Sequence, residues 1–238
     1  MNEKTAQFSL RGLFQPRDLT EGTPWKTILA FVLPIIISYL LQQVYTISDA
    51  AIVGQTLTAG EVAGVNDTTS IIFIFLQFAF GVSAGFCVVT AAEVGAHHEA
   101  GVRRSLAAQI LLSAALTVLL TGLALLLLKP MLAWINVTPE SPEVYRAAHT
   151  YCAIIFAGIG AQLFYNFICS FLRSMGDSVT PLLFLLFSTI LNIGLDLLFI
   201  VSFHWGVAGA AIATVAAQLI STVGCFLYAF VKYPKLRL

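Results

Sequence analysis

Residues 182–203 read LLFLLFSTILNIGLDLLFIVSF, an apolar run that carries a single charged residue, Asp196. A hydrocarbon core about 30 Å thick requires roughly 20 mostly apolar helical residues to cross it, and this run has that length. Backbone groups in lipid have no water to bond with, so they must be satisfied within the segment. The run is therefore predicted to be a membrane-spanning helix.

Five further stretches meet the same criterion. The six predicted spans cover Ile28–Val53, Ile71–Ala92, Leu106–Leu128, Tyr151–Leu172, Leu182–Phe203 and Val207–Val231. Hydrophobic residues make up 58% of the chain and charged residues 10%, whereas roughly a quarter of residues are charged in soluble domains. None of the runs alternates as barrel strands do. The sequence predicts an all-α integral membrane protein, a bundle of six transmembrane helices.

The basic residues predict the orientation of the bundle. Two of the twelve Lys and Arg residues, Lys129 and Arg146, fall on one side of the predicted spans, and the other ten fall on the opposite side. The positive-inside rule assigns the basic side to the cytoplasm. Both termini are thus predicted to be cytoplasmic, which agrees with an even number of spans. The first 25 residues lack the apolar core of a cleavable signal and are predicted to form a cytoplasmic tail.

Two carboxylates fall within the predicted spans, where a charge is costly and commonly marks a functional site. Asp49 shares one face of the first span with Ser38, Gln42 and Tyr45, because these residues follow at spacings of three and four. Asp196 shares a face of the fifth span with Ser188 and Asn192, and a carboxylate one turn from an amide suits a proton or a sodium ion.

Structural explanations for both carboxylates remain open. Asp49 can instead mark the water-exposed end of the first span, since the polar residues 54–56 follow soon after it. Asn192 and Asp196 can simply bond neighbouring helices, as polar residues in membrane bundles often do.

Two other spans carry polar faces. Tyr151, Gln162 and Asn166 fall within an arc of about 60° on the fourth span. The sixth span carries Thr214 and Gln218 at a spacing of four, beside small residues that predict close helix packing. These small residues are Gly209, Ala213 and Ala217.

The sequence contains no phosphate loop, nucleophile elbow or zinc-protease helix, so we expect neither an enzyme nor a resident cofactor. The four cysteines lie in apolar runs without metal-ligand spacing and are predicted to be buried thiols. The formal net charge is zero, and no basic patch outside the tails suggests a nucleic-acid partner. The intramembrane carboxylates can support coupling to an ion, and we expect this coupling to supply the energy.

Three phrases resemble the multidrug and toxic compound extrusion (MATE) transporters, in particular the N-terminal lobe of prokaryotic, DinF-like members. They are LPIIISYLLQQVYTISDAAIVG at 33–54, LRSMGDSVTP at 172–181, and NIGLD at 192–196 followed by GVAGAAIAT at 206–214. Their order and spacing agree with the family along nearly the whole chain from about residue 25.

The resemblance implies antiport of amphiphilic or cationic compounds against H⁺ or Na⁺ by a twelve-helix fold of two six-helix lobes. It implies a helix bend at Pro34 and a sodium site, if sodium is the ion, at Asp49, Asn192 and Asp196. We expect Gln42, Tyr45 and Gln162 to line the substrate cavity. The residues that match the coupling cluster of the family are Asp49, Asn192, Asp196, Thr214, Tyr151 and Asn166.

On this interpretation residues 26–232 form one lobe, residues 233–238 begin an inter-lobe linker, and the C-terminal lobe or a second half is the missing partner. The expected setting is a bacterial inner membrane, with the lipid bilayer and small substrates as the other partners. One alternative is a lipid-linked oligosaccharide flippase of the same superfamily, although such proteins usually place more Lys and Arg in the cavity. Another is a fragment or subunit that does not transport.

Overall fold

A computed structural model describes residues 23–233, and within that range the chain is almost entirely helical, without a β-strand. In chain order the elements are α1 (Pro24–Thr56), α2 (Ala59–Gly95), α3 (Glu99–Leu126), α4 (Leu128–Trp134), α5 (Pro142–Ala157), α6 (Ile159–Ser174), α7 (Val179–Asp196), a π-helical turn (Leu197–Ser202) and α8 (Gly206–Lys232). The predicted tail falls mostly on residues 1–22, and the predicted linker mostly on 234–238; both ranges lie outside the described residues.

The helices confirm the predicted six-helix bundle. Five segments are long and apolar enough to cross a membrane, and α5 with α6 forms a sixth when the two are counted as one broken span. We call the end of the bundle that contains the α1–α2 connection the turn end. The opposite end, where α1 begins and α8 stops, is the terminal end.

The fourth span, predicted at 151–172, is broken, because α5 and α6 meet at a bend of 46°. The bend is at Gly158, whose amide donates to the carbonyls of both Ile154 and Ile155, a tightening typical of a helix end. A Cβ at this position would lie 2.4 Å from the Val215 side chain, so α8 occupies the space beside the bend.

The second span starts at Ala59, twelve residues before the predicted start at 71. Thr58 and Glu61 form a capping box, in which each side chain accepts a hydrogen bond from the other residue's backbone amide, at 3.2 and 3.1 Å. Glu143 at the start of α5 also accepts a hydrogen bond from the Thr58 hydroxyl. Residues 59–70, which we expected to lie outside the second span, are therefore helical.

Small residues allow the helices to pack closely. The predicted ridge of Gly209, Ala213 and Ala217 is buried, and a Cβ on Gly209 would lie 3.2 Å from the backbone of Phe199. Gly64 on α2 lies directly against the backbone of α5. The four cysteines are buried free thiols, as predicted.

A buried polar network joins α2 to α3. The side-chain amide of Gln109 on α3 donates to the Phe86 carbonyl at 2.9 Å and to the hydroxyls of Thr90 and Ser105 at 2.7 Å. The Cys87 thiol donates to the other amide atom, Oε1, at 3.3 Å. Because its polar atoms are satisfied inside the bundle, Gln109 can be buried at low cost.

Asp177 connects three segments at the terminal end. Its carboxylate is 3% exposed and accepts hydrogen bonds from the Thr180 amide at 3.0 Å and from the Thr180 hydroxyl at 2.7 Å. The Lys232 ammonium forms an ion pair with it at 2.7 Å, and the Tyr233 hydroxyl lies 3.4 Å away. The connection before α7 is thereby fixed to the last turn of α8.

Candidate functional site

The two intramembrane carboxylates come together where α1 packs against α7. The side chain of Asp49 on α1 contacts that of Asp196, the last residue of α7. Asp196 is fully buried and Asp49 is half-buried. This contact disfavours the alternative in which Asp49 merely marks the water-exposed end of its helix.

Several oxygen and nitrogen atoms at this contact lack hydrogen-bond partners among the described residues. They are both carboxylate oxygens of Asp196, Oδ1 of Asp49, and both side-chain amide atoms of the fully buried Asn192. A buried polar atom without a partner typically costs about 1–3 kcal/mol. Since ionised carboxylates only accept hydrogen bonds, the pair needs a proton or a cation to be satisfied.

Two tyrosines and a threonine border the carboxylates. Tyr45, one turn before Asp49 on α1, makes a side-chain contact with Thr214 of α8. Tyr151 of α5 lies near both carboxylates and near Tyr45. The Thr214 hydroxyl also donates to the Ala210 carbonyl at 3.1 Å within its own helix. Four helices, α1, α5, α7 and α8, thus contribute to one polar cluster.

Other predicted site residues lie elsewhere. The Gln162 amide donates to Asn166 at 3.2 Å on α6, beyond the bend at Gly158. Asn166 follows Tyr151 by fifteen residues, a path of about 22 Å at 1.5 Å per residue, with the bend of 46° between them. Gln42 is exposed on α1. The roles assigned to Gln42, Gln162 and Asn166 stay predictions.

Pro34 is buried inside α1, and the helix continues through it from Pro24 to Thr56. Proline has no amide hydrogen, so one hydrogen bond of the helix is missing at this point. The Ser38 hydroxyl donates to the Pro34 carbonyl at 2.8 Å. The helix is therefore locally weakened between its first turns and the segment that carries Asp49, and a bend at Pro34 stays a prediction.

The donor atoms suit a hard cation. Carboxylate and amide oxygens are the ligands that sodium-like and alkaline-earth ions prefer, whereas soft metals select thiolates. Residues 23–233 contain no group of three or more His, Cys, Asp and Glu side chains placed for a metal ion. A sodium ion at this point would therefore rely on two carboxylates with the Asn192 amide, and a proton needs only the carboxylates.

The family model named MatE matches residues 34–198, a range that contains Pro34, Asp49, Tyr151 and Asn192 and reaches just past Asp196. The chain belongs to the MatE family. It is therefore a multi-pass membrane protein of a family whose members are transporters.

Relatives and solved structures agree with this assignment. The probable multidrug resistance protein YpnP of Bacillus subtilis is 33% identical over 217 residues, which cover 89% of this chain and 46% of that protein. A MOP superfamily transporter from Pyrococcus furiosus superposes with a TM-score of 0.82 and 26% identity, covering 90% of this chain and 46% of its own. A MATE structure in the bent conformation superposes with a TM-score of 0.80 and 26% identity, covering 89% and 46%. The chain spans about half the length of these relatives.

Two backbone features beside the cluster of this MATE chain were not predicted. The π-helical turn Leu197–Ser202 follows Asp196 directly, and such turns occur frequently at functional sites. The bend at Gly158 lies two turns after Tyr151. The sequence Gly158-Ile-Gly160 was a usable signal for the bend, because glycines interrupt helices. The apolar sequence after Asp196 carries no comparable signal for a π-helical turn.

Proposed function

We propose that this chain is the N-terminal lobe of a cation-coupled antiporter that exports small amphiphilic or cationic compounds. The observation that carries the proposal is the contact between Asp49 and Asp196, whose buried oxygens have no hydrogen-bond partner in the described part of the chain. Membership of the MatE family supports transport as the activity. The coupling ion is H⁺ or Na⁺.

Either ion would stabilise the cluster by the same principle. A proton on one carboxyl group turns it into a donor to the other, which removes the repulsion of two like charges. A sodium ion would instead be coordinated by side-chain oxygens of Asp49, Asp196 and Asn192. In both cases the loaded cluster holds α1 against α7, and the empty cluster repels the Asp49 segment from Asp196.

Pro34 would convert this change into motion. The segment of α1 that carries Asp49 lies beyond Pro34, where the missing hydrogen bond makes bending easier. Bending would move Gln42 and Tyr45, which we place in the substrate cavity with Gln162 on α6. Antiport requires that ion binding and substrate binding favour different conformations, and a bent and a less bent α1 would provide them. One solved relative is described in the bent conformation.

We place the chain in a bacterial inner membrane with the terminal end in the cytoplasm. At the terminal end the described residues carry five basic side chains, and at the turn end two, Lys129 and Arg146. The positive-inside rule then assigns the terminal end to the cytoplasm. A second six-helix lobe is the proposed partner, because the relatives are about twice as long as this chain.

The test uses the full-length protein, reconstituted in liposomes with a fluorescent cationic dye. A sodium gradient and a pH gradient are imposed in separate experiments, and dye efflux is measured. We expect one of the two gradients to drive efflux in the wild-type protein. Asp49→Asn and Asp196→Asn should each abolish gradient-driven efflux, because the amide can neither bind a proton nor supply a negative charge.

Glu140→Gln is the matched control. It removes a carboxylate that is exposed in the turn before α5 and lies outside the cluster. This variant should keep the wild-type rate. Full gradient-driven efflux by Asp196→Asn would contradict the proposal.

A further inference from the structure

Two thiols from different helices meet in the half of the bundle near the terminal end. The side chains of Cys169 on α6 and Cys225 on α8 are in contact. Both residues are buried, with 3% and 0% of their surface exposed. The packing of the next residue agrees with this contact, because the Phe226 ring lies against the Phe167 ring of α6 at a centroid distance of 5.9 Å. The two thiols are therefore neighbours across the interface of α6 and α8.

One face of α6 places a tyrosine and an arginine beside this contact. Tyr165, Cys169 and Arg173 follow one another at spacings of four, so their side chains share a helix face. The Tyr165 side chain contacts Cys169, and Arg173 is close enough to act electrostatically on it. Nε of Arg173 is buried and has no hydrogen-bond partner among residues 23–233. A partly buried positive charge therefore lies next to the pair of thiols.

This arrangement suits oxidation of the pair. The thiolate is the nucleophilic form of cysteine, and an adjacent arginine favours it over the thiol. A second thiol in contact with the first can capture the oxidised sulfur as a disulfide. The two remaining buried cysteines have other partners, since the Cys87 thiol donates to Gln109 Oε1 at 3.3 Å and Cys152 contacts Thr68.

We propose that Cys169 and Cys225 form a redox-sensitive modification site, at which a hydroperoxide oxidises the two thiols to a reversible disulfide. The Cys169 thiolate attacks the peroxide, the O–O bond breaks, and the leaving oxygen takes up a proton as water or an alcohol. The Cys225 sulfur then attacks the sulfenic acid on Cys169, and water leaves as the S–S bond forms. Two thiols are oxidised and one hydroperoxide is reduced, and the protons lost by the thiols end on the two leaving oxygens.

The location of the pair fits a reversible modification. Cys169 precedes the end of α6 by five residues and Cys225 precedes the end of α8 by seven, so both lie about 8–11 Å from the terminal end. Their burial restricts the reaction to small uncharged oxidants. With the terminal end in the cytoplasm, the pair faces a reducing compartment, where disulfides are transient and serve in catalysis or redox sensing.

The cross-link would join two helices that carry predicted site residues. Asn166 lies on α6, one turn before Cys169, and Thr214 lies on α8. A disulfide between these helices on the terminal side of the bend at Gly158 would oppose their separation. The inference stands on the thiol contact and does not depend on the proposed export function.

The test maps disulfides in the full-length protein in lipid vesicles. The protein is treated with hydrogen peroxide, unfolded in the presence of N-ethylmaleimide to block the remaining thiols, digested, and analysed by mass spectrometry. We expect the peptides of Cys169 and Cys225 to be joined by a disulfide that dithiothreitol reverses, whereas Cys87 and Cys152 should be alkylated. Arg173→Gln should slow formation of the disulfide by roughly threefold to tenfold, because less of the thiolate is present.

Three serine variants provide the controls. Cys169→Ser and Cys225→Ser should each abolish the cross-link, together with the increased resistance to denaturing detergent that peroxide gives the wild-type protein. Cys87→Ser removes a buried thiol outside the pair and should keep both effects. Because the cross-linked peptides are identified in the wild-type protein, the result does not depend on the folding of any variant.

Three outcomes would overturn the proposal. The first is complete alkylation of Cys169 and Cys225 after peroxide treatment. The second is oxidation of Cys169 to a sulfinic acid without a cross-link, which would mean that Cys225 does not capture the sulfenic acid. The third is a disulfide that joins Cys87 to either thiol as often as the two are joined to each other.

Discussion

Replacing Gly64 by alanine should push α2 away from α5, the helix that carries Tyr151 of the candidate site. A Cβ on Gly64 would lie 2.6 Å from the Val144 carbonyl oxygen and 2.8 Å from the Ala147 Cβ. The first distance is about 0.8 Å inside the 3.4 Å at which ordinary van der Waals contacts begin. The obstacle is backbone rather than a flexible side chain, so α5 as a whole must move.

The expected cost follows from two opposing effects. Overpacking of a tight interface typically costs about 1–3 kcal/mol, and a backbone obstacle puts this site near the upper end. Alanine is favoured over glycine in a helix by about 1 kcal/mol, which offsets part of the loss. We expect Gly64→Ala to lower the free energy of unfolding by about 2 kcal/mol. Tyr151 lies one turn after Ala147, so the shift should also disturb the site.

Gly122→Ala is the matched control, since no atom lies within 4 Å of a Cβ built there. It should be neutral or should stabilise the protein by up to about 1 kcal/mol. Both variants are measured by titrating the detergent-solubilised protein with a denaturing detergent and following helix content and tryptophan fluorescence. A Gly64→Ala protein as stable as the wild type would refute the close packing of α2 against α5.

Three further predictions concern the polar contacts and the orientation. Asp177→Ala should lower the free energy of unfolding by about 2–3 kcal/mol, since it leaves Lys232 without its buried carboxylate. Glu93→Gln breaks an exposed pair with His98 and is the control; in the same titration it should lower the free energy of unfolding by less than about 1 kcal/mol. Gln109→Leu should cost about 1 kcal/mol, because polar contacts between membrane helices are individually weak; a loss above 3 kcal/mol would mean that the network does more than join α2 to α3. A reporter fused to the carboxy terminus should be found on the cytoplasmic side of the membrane. A reporter found on the outer side would contradict the proposed orientation.

The sequence predicted the number of spans and most of the polar cluster because both depend on local rules. Apolar length alone indicates a membrane helix, and spacings of three and four align Tyr45 with Asp49, and Asn192 with Asp196, on single helix faces. Two faces that are polar within a span must face something other than lipid, which makes their meeting predictable.

What the sequence missed depends on contacts between distant residues. Gly158 and Gly160 signal an interruption of the fourth span, but the contact of Gly158 with the Val215 side chain of α8 cannot be read from that span. The capping box at Thr58 is a local signal for the early start of α2. The span was nevertheless predicted from residue 71, because the criterion used was the length of the apolar run. As a consequence Asp67 lies within α2 but outside the second span predicted from residue 71.

The central claim, that Asp49 and Asp196 bind the coupling ion together, is tested most directly without substrate. The infrared difference spectrum of the full-length protein in lipid is recorded upon a step in pH and upon addition of sodium. The account predicts a carboxyl-stretching signal for one of these ions that disappears in both Asp49→Asn and Asp196→Asn and persists in Glu140→Gln. An unchanged signal in both aspartate variants, or none in the wild-type protein for either ion, would contradict it.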